Sequence, residues 1–246
     1  MKRAALVTGA SRNIGRAIAQ ALAREGWPVA CFGRDRDALM ETERLIHAEG
    51  GSASVHVGDA ASDSSLEQFA REAAEQHGGI GVVVNNAGIM REEKALDMTP
   101  ASFRAVLDVN LTAAFVLARA AYPDLCKGGG VVVNIGSMFG ALGVPAAASY
   151  CASKAGIEGL TRALAAEWAR DKIRVVSVAP GYVRSDISET ALEDPVLGKR
   201  ILSRIPLRRV AETHEIGDFV AFLVSDRAAF ITGEGFVIDG GQRMHV

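Results

Sequence analysis

A tyrosine and a lysine stand four residues apart at Tyr150 and Lys154, at the start of a segment with helical periodicity. Residues at positions i and i+4 share one face of a helix, so both side chains can meet the same ligand. The pKa of a tyrosine is ordinarily about 10, and a neighbouring ammonium favours the phenolate and lowers that pKa. The pair could therefore pass a proton to or from a bound ligand. The spacing is common by chance, so the pair alone does not establish a site.

A glycine-containing loop near the N-terminus, residues 8–15 (TGASRNIG), joins a short apolar run to a helical segment. A strand, a tight turn and a helix N-terminus, in that order, form the usual cradle for the pyrophosphate of a dinucleotide. Gly9 would permit the turn, and Gly15 would let the helix pack closely on the strand. Asn13 stands where many such loops have glycine, and asparagine adopts the left-handed conformation readily. An ordinary turn between strand and helix is the alternative interpretation.

The end of the second apolar run bears on which dinucleotide would bind. NAD sites usually end this strand with an acid that binds the ribose 2′-hydroxyl, whereas an arginine accommodates the 2′-phosphate of NADP. Here Gly33 takes the place of the acid, Arg34 follows it, and Arg12 lies in the glycine-containing loop. Two guanidiniums suit one phosphate, so we predict NADP(H), with NAD(H) as the alternative. Asp35 could still pair with Arg34 or reach the ribose, and both arginines could be solvated surface residues.

Seven short motifs, in order along nearly the whole chain, resemble those of the short-chain dehydrogenase/reductase family. They are residues 8–15, Asp59, residues 85–88 (NNAG), Asn110, Ser137, the pair Tyr150 and Lys154, and Pro180-Gly181. Each motif is weak alone, since Ser137 could cap a turn and Asn110 could support a helix. Asn13 is the departure from the family pattern, and it affects the fine geometry of the pyrophosphate loop.

The resemblance implies hydride transfer between a nicotinamide cofactor and a carbonyl carbon, with one proton supplied by the protein. Tyr150 would be the general acid/base, and Lys154 would bind the nicotinamide ribose and lower the pKa of Tyr150. Ser137 would orient the substrate oxygen, and Asn110 would support a proton relay to Lys154 through water. The residues predicted to contact the cofactor are Gly9, Ser11, Arg12, Asn13, Ile14, Gly15, Arg34, Asp59, Ala60, Asn86, Ala87, Gly88, Tyr150, Lys154, Pro180, Gly181, Val183 and Ser185.

These motifs lie at the ends of elements that alternate regularly along the chain. Short apolar runs predict strands at Ala4–Thr8, Pro28–Phe32, Ala53–Val57, Gly81–Asn85, Gly130–Ile135, Ile173–Ala179 and Gly235–Ile238. Helical periodicity lies between them at Ile14–Glu25, Arg36–Glu49, Ser64–Gln76, Pro100–Tyr122, Tyr150–Arg170 and Glu212–Ser225. The alternation predicts an α/β fold: a single doubly wound Rossmann-like domain over residues 1–246, with a seven-stranded parallel sheet and helices on both faces. Thr99 before Pro100, and Asp63 or Ser64, are candidate helix caps.

Charge and composition narrow the class of function. The net charge is −2 and the basic residues are dispersed, so nucleic-acid binding is not expected. No apolar run reaches the length of a membrane span, and the N-terminal apolar stretch is too short for a signal peptide. The 3 cysteines are widely spaced and the 5 histidines are scattered. This usage favours a reduced, cytoplasmic protein with neither disulfides nor a metal site.

Within the family, residues 85–91, 134–137 and 230–234 resemble the β-ketoacyl-(acyl carrier protein) reductases most. This implies an NADP(H)-dependent carbonyl reductase that acts on a ketone or secondary alcohol, with a 3-oxoacyl thioester as candidate substrate and acyl carrier protein as candidate partner. The alternatives are an NAD(P)-dependent dehydrogenase of a sugar alcohol, steroid or other cyclic alcohol, and a non-catalytic dinucleotide-sensing protein on the same fold. Docking residues for a carrier protein, or else subunit salt bridges, could come from Lys127, Arg170, Lys172, Arg200, Arg204 and Arg208.

Three further predictions concern the surroundings of the site. Residues 184–206 form the longest stretch outside the alternation and are expected to be a mobile substrate lid. The predicted pocket is mostly apolar and is lined by Met90, Met138, Phe139, Leu142, Val144 and Tyr182. A homotetramer is expected because two helices, the second with Ile157, Leu160, Leu164 and Trp168, carry more apolar surface than one sheet face covers. The tail Gly235–Val246 would form the second interface, and a monomer with unusually apolar helices is the alternative.

Overall fold

Seven strands form one parallel sheet in the computed structural model, which describes residues 2–185 and 194–244. The sheet order is β3-β2-β1-β4-β5-β6-β7, so the winding reverses between β1 and β4. The strands are β1 (Ala4–Thr8), β2 (Val29–Gly33), β3 (Ala53–Val57), β4 (Ile80–Asn85), β5 (Gly130–Ile135), β6 (Ile173–Pro180) and β7 (Gly235–Ile238). The predicted strands are all present, because continuous apolar runs suit strands buried on both faces.

Helices cover both faces of this sheet. Their bounds are α1 (Asn13–Arg24), α2 (Arg36–Ala48), α3 (Asp63–His77), α4 (Pro100–Leu107), α5 (Ala113–Cys126), α6 (Ala148–Trp168), α7 (Pro195–Ser203) and α8 (Thr213–Val224). Val7 of β1 belongs to the core shared with α1, α2 and α8, whereas Leu6 belongs to the core shared with α3, α5 and α6. Successive strand residues face opposite cores, which confirms the predicted doubly wound Rossmann-like fold.

The helix caps confirm one prediction and correct another. The Thr99 hydroxyl accepts from the backbone N–H of Ser102 at 3.1 Å, directly before Pro100, as the sequence predicts. The cap of α3 is Ser62, which accepts from the N–H of Ser65, and not Asp63 or Ser64. Ser62 has the extended backbone that a cap requires, so Asp63 falls in the first helical turn, where its charge complements the helix dipole.

The predicted helix Pro100–Tyr122 is longer than expected and is interrupted. A π turn, Asp108–Thr112, joins α4 to α5, and it carries the buried Asn110. Such a turn takes one extra residue into the helix and is common at functional sites. The apolar periodicity of the sequence gives no sign of this insertion.

The segment Pro100–Cys126 is the one helix of the described residues that is long and apolar enough to cross a membrane, by length and composition alone. Leu117, Ala118 and Ala121 are fully buried in the core beside the sheet. The apolar composition of this segment is therefore that of a helix packed in the interior of the domain.

The α6 helix buries the residues that we expected at a subunit interface. Ile157, Leu164 and Trp168 are at most 6% exposed and face the core of their own domain, so their assignment to an interface is wrong. Apolar residues at this helical spacing can pack against the sheet of the same domain or against a helix of a second copy. The sequence pattern therefore could not tell a core face from a subunit interface. The exposed side of α6 carries small residues instead, namely Ala152, Ala155, Ala163 and Ala166.

About two thirds of the predicted lid, 15 of its 23 residues, can be described. Residues 186–193 lie outside the described part of the chain, whereas residues 195–203 form α7, a helix that the sequence analysis does not predict. Ile201 of α7 forms a small apolar cluster with Ile205, Val210 and Tyr182. The position of α7 after β6 suits a lid, and lid motion stays a prediction.

Candidate active site

The loop after β1 has the backbone conformation that its residue types predict. Gly9 has a φ of 66° and Asn13 a φ of 50°, both in the left-handed region. A Cβ atom on Gly15 would collide with the backbone carbonyl of Gly9. The N-terminus of α1 is therefore held against this turn more closely than a side chain would allow.

Arg16 fixes this loop against α2, a role that the sequence does not reveal. Its guanidinium donates to the backbone carbonyls of Ser11 at 2.5 Å and Ala38 at 3.2 Å, and its Nε donates to Thr42 Oγ1 at 2.9 Å. Thr42 Oγ1 donates to the carbonyl of Ala10 at 2.9 Å. An arginine in the first turn of a surface helix gives no pattern by which these bonds could be foreseen.

The loop after β4 is fastened to the end of β1. The Thr8 hydroxyl accepts from the backbone N–H groups of Asn86 and Ala87, each at 3.0 Å, and Asn86 Nδ2 donates to the Thr8 carbonyl at 2.9 Å. A Cβ atom on Gly9 would lie 2.9 Å from Asn86 Nδ2. The two loops thus form one continuous rim at the carboxyl ends of β1 and β4.

This rim borders a cleft of about 730 Å³. Cofactors bind at this edge of open α/β sheets, where the strand order reverses. The predicted cofactor residues that line the cleft are Gly9, Ser11, Arg12, Asn13, Ile14, Gly15, Arg34, Asp59, Ala60, Asn86, Ala87, Gly88 and Ser185. Lining residues that the sequence analysis missed include Gly58, Ile89, Arg91, Asp108 and Val109. Each is within three residues of a predicted motif residue, and that adjacency is the signal that could have found them.

Asp35 caps the start of α2, and whether it also reaches a cofactor ribose stays a prediction. Its Oδ1 accepts from the backbone N–H of Ala38 at 3.1 Å, so this carboxylate caps the helix. Gly33, Arg34 and Arg12 all line the cleft. Asp35 also lines the cleft, so the end of β2 presents the Arg34 guanidinium next to a carboxylate that caps α2.

The predicted cofactor residues that do not line this cleft are Tyr150, Lys154, Pro180, Gly181 and Val183. The Gly181 N–H donates to the Ile238 carbonyl at 2.8 Å, and Val183 forms an isolated parallel bridge with Ala211. A Cβ atom on Gly181 would lie 3.5 Å from Met138 Sδ. This segment therefore packs beneath the turn that follows Ser137, and its predicted cofactor contacts stay a prediction.

Lys154 is buried at the wall of the site. It is 4% exposed, and its Nζ donates to the Ile135 carbonyl at 2.7 Å. Burial lowers the pKa of Lys154 to about 8, because removal from water favours the neutral amine. The ammonium lies 5.8 Å from the centroid of the Tyr150 ring. A Cβ atom on Gly88 would lie 3.7 Å from it, so the lysine lies beside the cleft.

Tyr150 departs from the expected electrostatics. Burial raises the pKa of Tyr150 above its ordinary value, a hydrogen bond with Ser137 opposes this rise, and Cys151 adds to it. Lys154 does not lower the pKa of Tyr150 in this structure, and its ammonium donates to the backbone carbonyl of Ile135. The phenol is therefore held in its neutral, proton-donating form in this structure.

Ser137 joins the end of β5 to this tyrosine. Its hydroxyl accepts from the backbone N–H of Phe139 at 3.2 Å and so caps the short 3-10 turn Met138–Gly140. The same side chain lies close enough to the Tyr150 hydroxyl to lower the pKa of that phenol. Ser137 thus has both of the roles that the sequence leaves open, the cap of a turn and a contact at the site.

Asn110 connects the π turn to the site. Its Oδ1 accepts from the backbone N–H of Ile89 at 2.8 Å, and its Nδ2 donates to the carbonyl of Ile89 at 2.9 Å and to Ser153 Oγ at 3.0 Å. A Cβ atom on Gly88 would lie 3.4 Å from Asn110 Oδ1. Asn110 therefore holds the loop after β4 against α6, next to Lys154.

Two more asparagines brace the sheet below the site. Asn85 Nδ2 donates to Asn134 Oδ1 at 2.8 Å, and Asn134 Nδ2 donates to Thr161 Oγ1 at 2.9 Å. All three side chains are buried, and Asn85 and Asn134 are neighbours in the register of β4 and β5. The contacts tie these strands to α6, because buried polar groups require partners.

The predicted substrate side lies beyond Ser137. The rings of Phe139 and Tyr182 meet edge to face with centroids 6.2 Å apart. Met90 and Leu142 are each 36% exposed, whereas Met138 is 1% exposed. Met138 therefore belongs to the core beneath the predicted substrate side. The rings of Phe139 and Tyr182 lie on that side.

Comparison with protein families extends this description over the chain. Residues 9–243 match the family described as Enoyl-(Acyl carrier protein) reductase. The 3-oxoacyl-[acyl-carrier-protein] reductase of Staphylococcus epidermidis is 37% identical over 246 residues, covering 99% of this chain and 100% of the relative.

Solved structures show the same fold. A protein from Sinorhizobium meliloti 1021, assigned as a short-chain alcohol dehydrogenase, is 40% identical with a TM-score of 0.95, covering 100% of this chain and 98% of the other. A protein from Agrobacterium tumefaciens with bound NADP, assigned as a 2-deoxy-D-gluconate 3-dehydrogenase, is 37% identical with a TM-score of 0.92, covering 99% and 97%. These similarities run the length of the chain and include every element that carries the site.

Proposed function

Because this chain belongs to the short-chain dehydrogenase/reductase family and is a hydride-transferring oxidoreductase, we propose that it reduces a ketone with NADPH and that a 3-oxoacyl thioester is its substrate. One observation carries the proposal. Ser137, Tyr150 and Lys154 come together beside a cleft whose walls suit a dinucleotide. A neutral phenol at that place can give a proton to an oxygen bound next to it.

The residues present fit a dinucleotide. The left-handed Gly9 and Asn13 leave the backbone N–H groups at the start of α1 directed at the cleft, where they favour a pyrophosphate. A side chain on Gly15 would close this cradle. When bound, the nicotinamide supplies or accepts the hydride, and the protein provides position and a proton.

The catalytic roles follow from the contacts of each side chain. In the direction of reduction, Tyr150 Oη gives its proton to the carbonyl oxygen of the substrate as negative charge develops there. Ser137 Oγ, which already bonds with Tyr150, holds the same oxygen and so orients the carbonyl. Lys154 supplies a positive charge close to Tyr150, and Asn110 keeps the loop of Gly88 in place against α6.

The preference for NADP(H) is supported by the residues around the end of β2. Arg34 and Arg12 line the cleft, and Asp35 is engaged as a helix cap. The Agrobacterium tumefaciens structure contains NADP. A direct test is to compare the Kd of NADPH and NADH by fluorescence titration. We expect NADPH to bind more tightly by at least about tenfold, the value of one charged hydrogen bond, and equal affinities would contradict the assignment.

A sugar acid or sugar alcohol is the second candidate substrate. The observation in its favour is the similarity to a structure assigned as a 2-deoxy-D-gluconate 3-dehydrogenase, which equals that to the 3-oxoacyl reductase. A panel measured by NADPH oxidation separates the two, with acetoacetyl-CoA, keto-gluconates and neutral cyclic ketones as its members. Highest kcat/KM on the thioester supports our proposal, and highest kcat/KM on a keto-gluconate replaces it.

Binding of an acyl carrier protein would involve the basic residues near the site. Arg200 of α7 and Arg204 are exposed and follow β6 at the carboxyl edge of the sheet. Arg170 and Lys172 lie beyond the far end of α6, about 30 Å from Tyr150 at 1.5 Å per residue. A carrier protein bound at this site would therefore meet Arg200 and Arg204, and it would reach Arg170 only if a second copy placed that residue nearby.

We further propose a cytoplasmic homotetramer and a mobile lid. The exposed small residues of α6, with Phe115 of α5 at 40% exposure, form a surface on which a second copy can pack closely. Light scattering at micromolar concentration tests the assembly, and a mass near 25.9 kDa with full activity would contradict it.

Hydrogen exchange of residues 184–206, with and without NADP(H) and substrate, tests the lid. Protection on ligand saturation is expected, and unchanged exchange would refute a lid.

A further inference from the structure

A carboxylate that the catalytic roles do not use lies beneath the site. Glu158 is one helical turn after Lys154 on α6, and it is half-buried against the sheet. Ser177 Oγ of β6 donates to Glu158 Oε1 at 2.6 Å. Charge-assisted hydrogen bonds of this length are among the stronger ones in proteins.

Two glycines make room for this carboxylate. A Cβ atom on Gly235 of β7 would collide with Glu158 Oε2. A Cβ atom on Gly136, after β5, would lie 3.1 Å from Glu158 Oε1. The carboxylate is therefore seated directly on the backbone of two chain segments, and its hydroxyl partner belongs to a third.

The seat of Glu158 adjoins the catalytic residues on both sides. Gly136 is the residue immediately before Ser137. Ile135, the residue before Gly136, accepts from Lys154 Nζ at 2.7 Å. Three consecutive residues at the end of β5 thus meet the lysine, meet the carboxylate and provide the catalytic serine.

The remaining contacts between α6 and the sheet are less directional. Ile157, Leu164 and Trp168 pack as apolar side chains, and apolar burial does not fix a register because it has no preferred direction. Hydrogen bonds have defined lengths and angles. The hydrogen bonds of Glu158 with Ser177, of Thr161 with Asn134 and of Lys154 with Ile135 join this face of α6 to β5 and β6.

We propose that Glu158 is a positioning residue: its bond to Ser177, seated on Gly136 and Gly235, sets the register of α6 against β5 and thereby places Tyr150 and Lys154 opposite Ser137. This inference rests on the proposed catalytic roles of those three residues. The hydrogen bond, and not the negative charge, performs the positioning.

The first test separates the bond from the charge. In E158Q the amide oxygen still accepts from Ser177. The kcat for NADPH-dependent reduction of acetoacetyl-CoA therefore stays within about twofold of the wild-type value. A tenfold change would correspond to about 1.4 kcal/mol. In E158A and in S177A kcat falls by about 5- to 100-fold, since small displacements of reacting groups are costly. The Kd of NADPH stays near the wild-type value in E158Q, because Lys154 keeps its place in that variant.

The second test uses the space at Gly235. The methyl group of G235A displaces the carboxylate, so this variant lowers kcat as E158A does, although no hydrogen-bonding group is removed. In the double variant E158A/G235A the methyl meets only the Ser177 hydroxyl, 2.9 Å away, which can rotate aside once it has no carboxylate partner, so kcat is no lower than in E158A. Such non-additivity is the mark of two residues that act through one contact. Additive losses in kcat would overturn the proposal.

Controls distinguish positioning from general instability and from a wrong substrate. E167A changes an exposed acid of the same helix and keeps wild-type kcat. Amide exchange over residues 148–158 needs no substrate: it rises in E158A and G235A, and it matches the wild type in E158Q. If the wild-type enzyme does not reduce acetoacetyl-CoA, the proposed substrate fails while the exchange data still decide the role of Glu158. Wild-type exchange and kcat in E158A would refute it.

Discussion

The two halves of the site are built in different ways. On the side of β1 to β3, the cleft is shaped by backbone: Gly9 and Asn13 in the left-handed region, and Gly15 in contact with the turn. Its charged groups, such as Arg34, are exposed. On the side of β4 to β6, the site is shaped by side chains that are buried and bonded, such as Asn110 and Lys154.

This difference teaches where each half tolerates change. An exposed arginine can be replaced at the loss of its own contacts with a ligand, because water solvates whatever remains. A buried polar side chain cannot be removed so simply, because its partners are left without hydrogen bonds in a dry environment. We therefore expect cofactor preference to be adjustable by single substitutions and the catalytic half to be rigid.

The largest effect is expected at Tyr150. Y150F keeps the buried ring but removes the proton donor, so kcat falls by about 10²–10⁴-fold, while the Kd of NADPH changes little. Steady-state NADPH oxidation and fluorescence titration measure the two quantities. The matched control is Y122F, which removes a tyrosine hydroxyl of α5 that donates to Asp171. This variant keeps wild-type kcat. Comparable turnover by Y150F would contradict the mechanism.

The next effect tests the rigidity of the catalytic half. N110A leaves both backbone groups of Ile89 without their partner, while Ser153 Oγ keeps its bond to the Tyr150 carbonyl. Since each unsatisfied buried group costs about 1–3 kcal/mol, we expect the free energy of unfolding to fall by about 2–4 kcal/mol. Urea denaturation measures it. T112A, at an exposed position of the same π turn, should change it by less than about 0.5 kcal/mol. A stable N110A protein would show that this half is as tolerant as the other.

The cofactor half is tested at Arg34. R34A is expected to weaken NADPH binding by about 1.5–3 kcal/mol, the range for a hydrogen bond to a charged group, and to leave NADH binding nearly unchanged. R36A, an exposed arginine two residues later, serves as the control for general charge. Equal losses for NADPH and NADH in R34A would show that this residue does not contact the 2′-phosphate.

The smallest effect concerns stability and pH at Lys154. Its pKa is lowered from 10.5 to about 8, so between these values the unfolded chain binds more protons than the folded one. The contribution of this group to the free energy of unfolding therefore increases as pH rises through that window. K154M removes a costly buried charge, and the unliganded variant should be more stable at pH 7 by about 1–2 kcal/mol, although inactive.

Melting temperatures from pH 7 to 10 measure this effect. The advantage of K154M should shrink as pH rises, because the wild-type lysine then loses its charge. A constant difference, or a less stable variant at pH 7, would mean that the bond to Ile135 outweighs the cost of burying the ammonium.

Much of the fold was predictable because its signals are local. Continuous Val- and Ile-rich runs such as Gly130–Ile135 suit strands covered on both faces, and the structure has them there. Gly9 and Asn13 have the left-handed conformation that their residue types favour. The residues predicted to be catalytic were picked out by their order along the chain, and the structure brings Ser137, Tyr150 and Lys154 together.

The predictions were wrong or incomplete where one sequence pattern is compatible with several structural arrangements. Ser62, Asp63 and Ser64 are all suitable caps, and only the backbone decides among them. The apolar face of α6 suits a sheet or a partner helix, so Ile157 could not be assigned. The pKa of Tyr150 depends on the balance between burial and charge, which spacing does not contain. Glu158 meets its seat through residues that are distant in the sequence.

Function here depends on the number of residues in the π turn Asp108–Thr112 as well as on their types. It holds one residue more than a regular helix would. Deletion of a single residue would let α4 and α5 merge into one α-helix, with α4 rotated by about 100° relative to α5. Asn110 would then turn away from Ser153 although no functional side chain had been replaced. A descendant of this protein could lose its active site in one deletion and still keep its fold.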